Sequence, residues 1–257
     1  VMPSGYADLN GSKKEALMTW VAQGGTLIAH NRSSRLIASS KDFGNVKLLQ
    51  NTFENSLDYN FDLLKEMAAS DNNINKAKTL AHGINLDINY PWESSNKQIS
   101  EKELQNRDKW QSIFMPSGSM VAGRVDQKHW LSFGTPSTLP ILYANFPILM
   151  THDKTEAVVR IGELISNDEI KDFRMINWSS IPPGKDLNVR MSGLVWPEAA
   201  QRIANSAYLT RERIGRGQII LFAGEPNFRG STRGTNRLWL NALIYGAGLG
   251  ASTKINL

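Results

Sequence analysis

The 257-residue sequence contains no cysteine, which removes disulfide scaffolds, thiolate zinc sites, iron–sulfur clusters and cysteine nucleophiles together. Nor does it hold an uninterrupted apolar run near the ~18 residues a membrane helix needs, so no membrane span is expected. Histidine is scarce. His30, His82, His129 and His152 are isolated, and none is followed by Glu three residues later. Zinc sites built from imidazole and carboxylate need ligands at short fixed spacing, so no metal and no other cofactor is expected in this chain. A strong charge excess is also missing. The 29 basic and 24 acidic residues leave +5, and the basic residues are scattered without an aromatic-interleaved stripe, so nucleic acid is not an expected partner. No secretory signal opens the sequence and position 1 is Val, as expected of a processed or truncated piece.

What is present reads as a folded α/β chain. Hydrophobic residues make up 41% and charged residues 21%, close to globular averages, and the length suits a single domain over residues 1–257. A capping box at Ser12-Lys13-Lys14-Glu15 predicts a helix bearing Leu17, Met18, Trp20 and Val21. Gly24-Gly25 ends that helix before the strand run Thr26-Leu27-Ile28-Ala29. Residues 41–111 are rich in Asn, Ser, Asp and Lys, with helical patches over 57–69 and 100–110, and read as an insertion or irregular segment. Strand-like pieces follow at 120–125, 139–143 and 156–161, then a helix from Trp196-Pro197-Glu198 and a strand over 207–212. Gly215-Arg216-Gly217 turns the chain into Gln218-Ile219-Ile220-Leu221-Phe222-Ala223, the pattern of a central strand covered on both faces. A last helix is expected to start with Thr235 as its cap.

Two loops could carry chemistry. Asn31 occupies the tight strand-to-helix turn after the first strand, followed by Arg32, Ser33 and Ser34. Such an elbow exposes a nucleophile in hydrolases, but a carboxamide cannot attack, and the surroundings do not match Gly-x-Ser-x-Gly. The second loop, residues 224–237, runs from the end of the best strand into a helix N-terminus, where amides and the helix dipole favour an anion. Glu225, Arg229, Arg233 and Asn236, beside Asn31 and Arg32, are the candidate ligand-binding residues for a small anionic or peptide ligand. Arg229 could instead pair with Glu225 and clamp the loop. No catalytic residue is assigned, although Ser33 or Ser34 with His30 or His129 would serve a cryptic serine hydrolase. A purely structural domain is the other alternative.

The segments Trp20-Val21-x-x-Gly24-Gly25-Thr26-Leu27-Ile28-Ala29, Gly215-Arg216-Gly217-Gln218-Ile219-Ile220-Leu221-Phe222, Pro226-Asn227-Phe228-Arg229-Gly230 and Gly234-Thr235-Asn236-Arg237-Leu238 resemble a class I glutamine-amidotransferase-like domain. They resemble most the copy at the C-terminus of secreted bacterial M14-type zinc carboxypeptidase-like proteins. Asp126-x-x-His129-Trp130-Leu131 is similar too, with Trp130 the departure from the usual His-Pro-Leu version. The resemblance spans residues 1–40 and about 112–248. It implies a flavodoxin-like, parallel-sheet three-layer sandwich with an Asn-rich insertion. It also implies a secreted or periplasmic parent whose zinc sits only in an upstream peptidase domain, the expected partner of this chain. The Cys and His-x-Glu of true amidotransferases have no counterpart here, so the implied role is that of an accessory or ligand-binding domain without chemistry of its own.

Overall fold

The computed structural model describes residues 1–5, 9, 11–40, 42–84 and 101–249, so part of the predicted insertion, residues 41 and 85–100, lies outside the described residues. The chain enters through α1 (Gly11–Ala22), β1 (Thr26–His30) and α2 (Arg32–Ser39). Ser12 falls inside α1 rather than at its cap. Of the predicted apolar face Val21 is buried, Leu17 and Met18 pack partly against the core, and Trp20 stays 48% exposed.

A short β2 (Lys47–Leu48) precedes the helices α3 (Ser56–Ser70), α4 (Lys76–Ile84) and α5 (Glu101–Gln111). Their segment contributes side chains to the main core. Tyr59, Leu63 and Met67 repeat at the four-residue interval that lines one helix face, and all three are buried in the main core with Phe43, Val46 and Leu49. Composition concealed this because polar residues are interleaved with that face: Asn60 is buried beside it, Asp62 and Glu66 are half-buried, and Lys65 is exposed.

The second half supplies β3 (Ser117–Val125), β4 (Thr138–Ala144), β5 (Leu149–Met150) and β6 (Thr155–Ile161). Four short strands follow: β7 (Glu163–Ser166), β8 (Arg174–Ile176), β9 (Ser179–Ile181) and β10 (Lys185–Asn188). These form the small pairs β7–β10 and β8–β9, which sequence patterning did not anticipate. The chain closes with β11 (Arg190–Ser192), α6 (Pro197–Ile203), β12 (Ala207–Ile214), β13 (Gly217–Phe222) and α7 (Arg233–Tyr245), whose cap position is Thr232 rather than Thr235.

The main sheet is mixed, which corrects the parallel sheet expected from the sequence. Its order is β1-β13-β12-β6-β3-β11, with β4 on β3, β5 on β12 and β2 on β5. Among the described residues only β1 and β13 of its strand pairs run parallel, joined by a parallel bridge from Met2 to Ala29. The remaining pairs are antiparallel. The reason lies in the connections. Ile214 pairs directly with Gly217, so Gly215-Arg216 is a two-residue hairpin turn, and Gly215 takes φ 58° to close it. Such a turn joins only antiparallel strands, whereas a parallel pair needs a long crossover.

A helix covers one face of the sheet at β13 and a loop meets the other. Gln218 donates to Gly246 O at the end of α7, and Trp239 of α7 meets Phe222 edge-on at 5.5 Å. On the opposite face, Glu212 accepts from Asn45. Every residue of β13 is buried, as its unbroken apolar run predicted, and each of its large side chains contributes about 1.5–3 kcal/mol of burial. Gly217 is required by packing: a Cβ there would stand 1.9 Å from Val21 O and 2.3 Å from Gly25 O.

Candidate functional site

The two predicted loops converge. His30 ends β1 opposite Phe222, the last residue of its parallel neighbour β13, so both loops leave the sheet at the same edge. Asn31 takes φ 53° and ψ −117°, the mirror image of extended backbone, which only glycine adopts without strain. Its N–H donates to Phe222 O at 3.0 Å, and its Nδ2 donates to Glu225 Oε1 at 3.4 Å. Asn31 therefore occupies a strained elbow at the start of α2 and presents a carboxamide to the loop after β13.

Behind it stands His30, edge-on to Trp239 at 5.6 Å. Burial holds the His30 imidazole below its usual pKa, with the Glu225 carboxylate opposing the shift, so the ring is neutral at pH 7. Its Nδ1 is buried without a hydrogen-bond partner among the described residues, and so is Oδ1 of Asn236. Asn236 lies one turn before Trp239 on α7. An unpartnered buried polar atom costs about 1–3 kcal/mol, and two at one loop cluster suit the recognition of a polar group.

The other predicted residues stay at the rim. Arg32 and Arg233 are exposed as the first residues of α2 and α7. Arg229 is exposed, takes φ 50°, and holds its guanidinium 5.1 Å over the Phe228 ring. No ion pair joins Arg229 to Glu225 among the described residues. Ser33 and Ser34 are fully buried and donate to Pro3 O at 2.6 Å and Phe222 O at 2.8 Å, which seats α2 against the sheet. His129 accepts the Leu131 N–H on Nδ1 and meets Glu156 through Nε2.

Two of the family-like segments touch. Arg237 Nε donates to Phe133 O at 3.0 Å, while Asn241 Nδ2 donates to Leu131 O at 2.8 Å and Phe133 O at 2.9 Å. Arg237 thus anchors the 129–134 turn to α7. What sequence reasoning missed at the elbow is the aromatic wall of Trp239, whose signal was its place one turn after Asn236.

Elsewhere, α3, β3 and β6 line two clefts of 310 and 500 Å³ that share Glu66, Asp126 and Ala157. None of the elbow residues lines either cleft. Among the described residues no group of three or more His, Asp or Glu is placed to hold a metal ion, and no helix is long and apolar enough to cross a membrane. Comparison with protein-family models, curated proteins and solved structures gives no match for this chain.

Proposed function

We propose that the chain is a non-catalytic accessory or ligand-binding domain of the class I glutamine-amidotransferase-like, flavodoxin-like kind. In this reading it works beside an M14-type zinc carboxypeptidase domain in a secreted or periplasmic protein, with zinc confined to that upstream partner. The supporting observation is Asn31: a strained strand-to-helix elbow carries a carboxamide held toward Glu225 where a nucleophile would stand. An amide at that point can orient a ligand by donating and accepting hydrogen bonds, but it offers no attacking atom.

The ligand in this reading is a small anion or a peptide. Arg32, Arg229 and Arg233 stand exposed around the elbow, and guanidinium forks match carboxylate and phosphate. A hydrolase built on Ser33 or Ser34 gains no support, because both hydroxyls are buried and donate to main-chain carbonyls.

Calorimetric titration of the chain with inorganic phosphate and with a short acidic peptide tests the binding role. Saturable binding lost in Arg229→Ala, with the melting temperature kept, supports it. Absence of binding to both probes leaves only a structural role and defeats the binding reading. For the accessory role, peptidase activity of the parent would be measured with and without this domain; hydrolysis of peptides by this chain alone would refute it.

A further inference from the structure

An arginine pair stands where the two clefts meet, Arg124 lining the larger and Arg160 the smaller. Arg124 of β3 stands directly opposite Arg160 of β6 across the strand pair. Arg160 is fully provided for: Nε donates to both Glu66 oxygens at 2.8 Å, and its terminal nitrogens reach Asn205 O and Thr151 Oγ1 at 2.9 Å each. Glu66 is thereby engaged by one of the two guanidiniums.

Arg124 has no such partner. Its terminal nitrogens donate to Gly162 O at 3.0 Å and Asn205 Oδ1 at 3.3 Å, both neutral acceptors. Among the described residues no carboxylate lies within ion-pair distance of it. Burial pushes its pKa down to about 10, with Glu66 opposing and Arg160 adding to the shift. A half-buried charge with no carboxylate at ion-pair distance is stabilised by a partner that supplies one, and this one lines the wall of a 500 Å³ cleft.

The same wall holds a carboxylate. Glu163 follows Gly162, whose carbonyl binds Arg124, and Glu163 Oε1 accepts from Thr138 Oγ1 at 2.9 Å, Thr138 being the cross-strand partner of Arg124. Arg124 and Glu163 are thus each bonded to neutral groups, with no ion pair between them among the described residues. The other charged lining groups balance: Asp71 pairs with Lys185 at 2.6 Å, and the exposed rim offers one Asp126 and one Lys128.

We propose that this cleft binds a short zwitterion such as a dipeptide, its carboxylate on the Arg124 guanidinium and its ammonium on Glu163. The site is independent of the elbow, so its failure leaves the reading of the elbow untouched. The full chain is titrated by calorimetry with glycylglycine and with acetate, in wild type, Arg124→Met and Glu163→Gln, and the melting temperature of each protein is recorded. Expected are saturable glycylglycine binding by the wild type, at least tenfold weaker binding in Arg124→Met with no loss of melting temperature, and loss in Glu163→Gln of the preference for glycylglycine over acetate. No binding of glycylglycine, equal affinity for acetate in the wild type, or undiminished binding in Arg124→Met would each overturn the proposal. Should Arg124→Met fail to fold, Arg124→Lys keeps the charge without the fork, and unchanged affinity in that variant overturns it equally.

Discussion

Asn31 Nδ2 stands 3.4 Å from Glu225 Oε1, a contact that joins residues 194 positions apart in the chain. It exists because β1 and β13 are parallel neighbours in register, so the loops leaving them start side by side. The backbone at Asn31 carries a conformation that costs a non-glycine residue about 1–3 kcal/mol.

Removing that strain should stabilise the protein. Asn31→Gly is expected to gain about 1 kcal/mol in urea denaturation, and Asn31→Val, β-branched, to lose about 2 kcal/mol. The gain should come with weaker ligand binding at the elbow. Equal stability of the glycine and valine variants would show that the turn relaxes freely.

Gly217 should tolerate nothing larger. A Cβ at 1.9 Å from Val21 O and 2.3 Å from Gly25 O meets backbone on two sides, so α1 and β1 must both move. Gly217→Ala is expected to cost about 3 kcal/mol, measured as a drop in melting temperature.

The Glu66–Arg160 pair makes a third expectation. Arg160 has a side chain only 4% exposed, and Glu66→Gln leaves its charge without a carboxylate. The expected loss is about 2 kcal/mol, below that for a fully buried pair because Glu66 is 37% exposed. Urea denaturation of the variant checks it.

Two carboxylates give opposite responses to pH. Burial raises the pKa of Glu212 above its ordinary 4.5, with hydrogen bonds from Asn45 opposing. Its contribution is therefore full below pH 4.5 and is lost as pH rises through the folded value. Asp71 behaves in reverse. The Lys185 ammonium at 2.6 Å lowers its pKa below 3.8, so its contribution is full above that pH and lost as pH falls through the folded value. Denaturation midpoints across the acid range should show Glu212→Gln flattening the fall above pH 4.5 and Asp71→Asn removing part of the loss below pH 3.8.

Much of the sheet was legible because local pattern decides it. The runs at 26–29 and 218–223 carry their apolar residues between turn residues, and they fall on the strands Thr26–His30 and Gly217–Phe222. Strand direction was misread because the similarity of the flanking motifs to a parallel family outweighed the hairpin spelled by Gly215-Arg216. The three-residue strands β8 and β9 carried too little alternation to be seen. They are held from outside, with the buried Asn60 of α3 accepting from Ser180 N–H at 2.6 Å and donating to its hydroxyl at 3.1 Å.

By itself the sequence determined the absence of thiol chemistry, the tight turn at Asn31 and the wholly buried strand β13, because each follows from residue type and its immediate neighbours. Only the tertiary structure decided that Asn31 meets Glu225, that Arg237 is spent on Phe133, and that Arg124 stands opposite Arg160, which alone of the two bonds Glu66. Whether a charge is paired depends on what the fold brings opposite it, and in a sheet that partner is set by register, which no local pattern near Arg124 encodes.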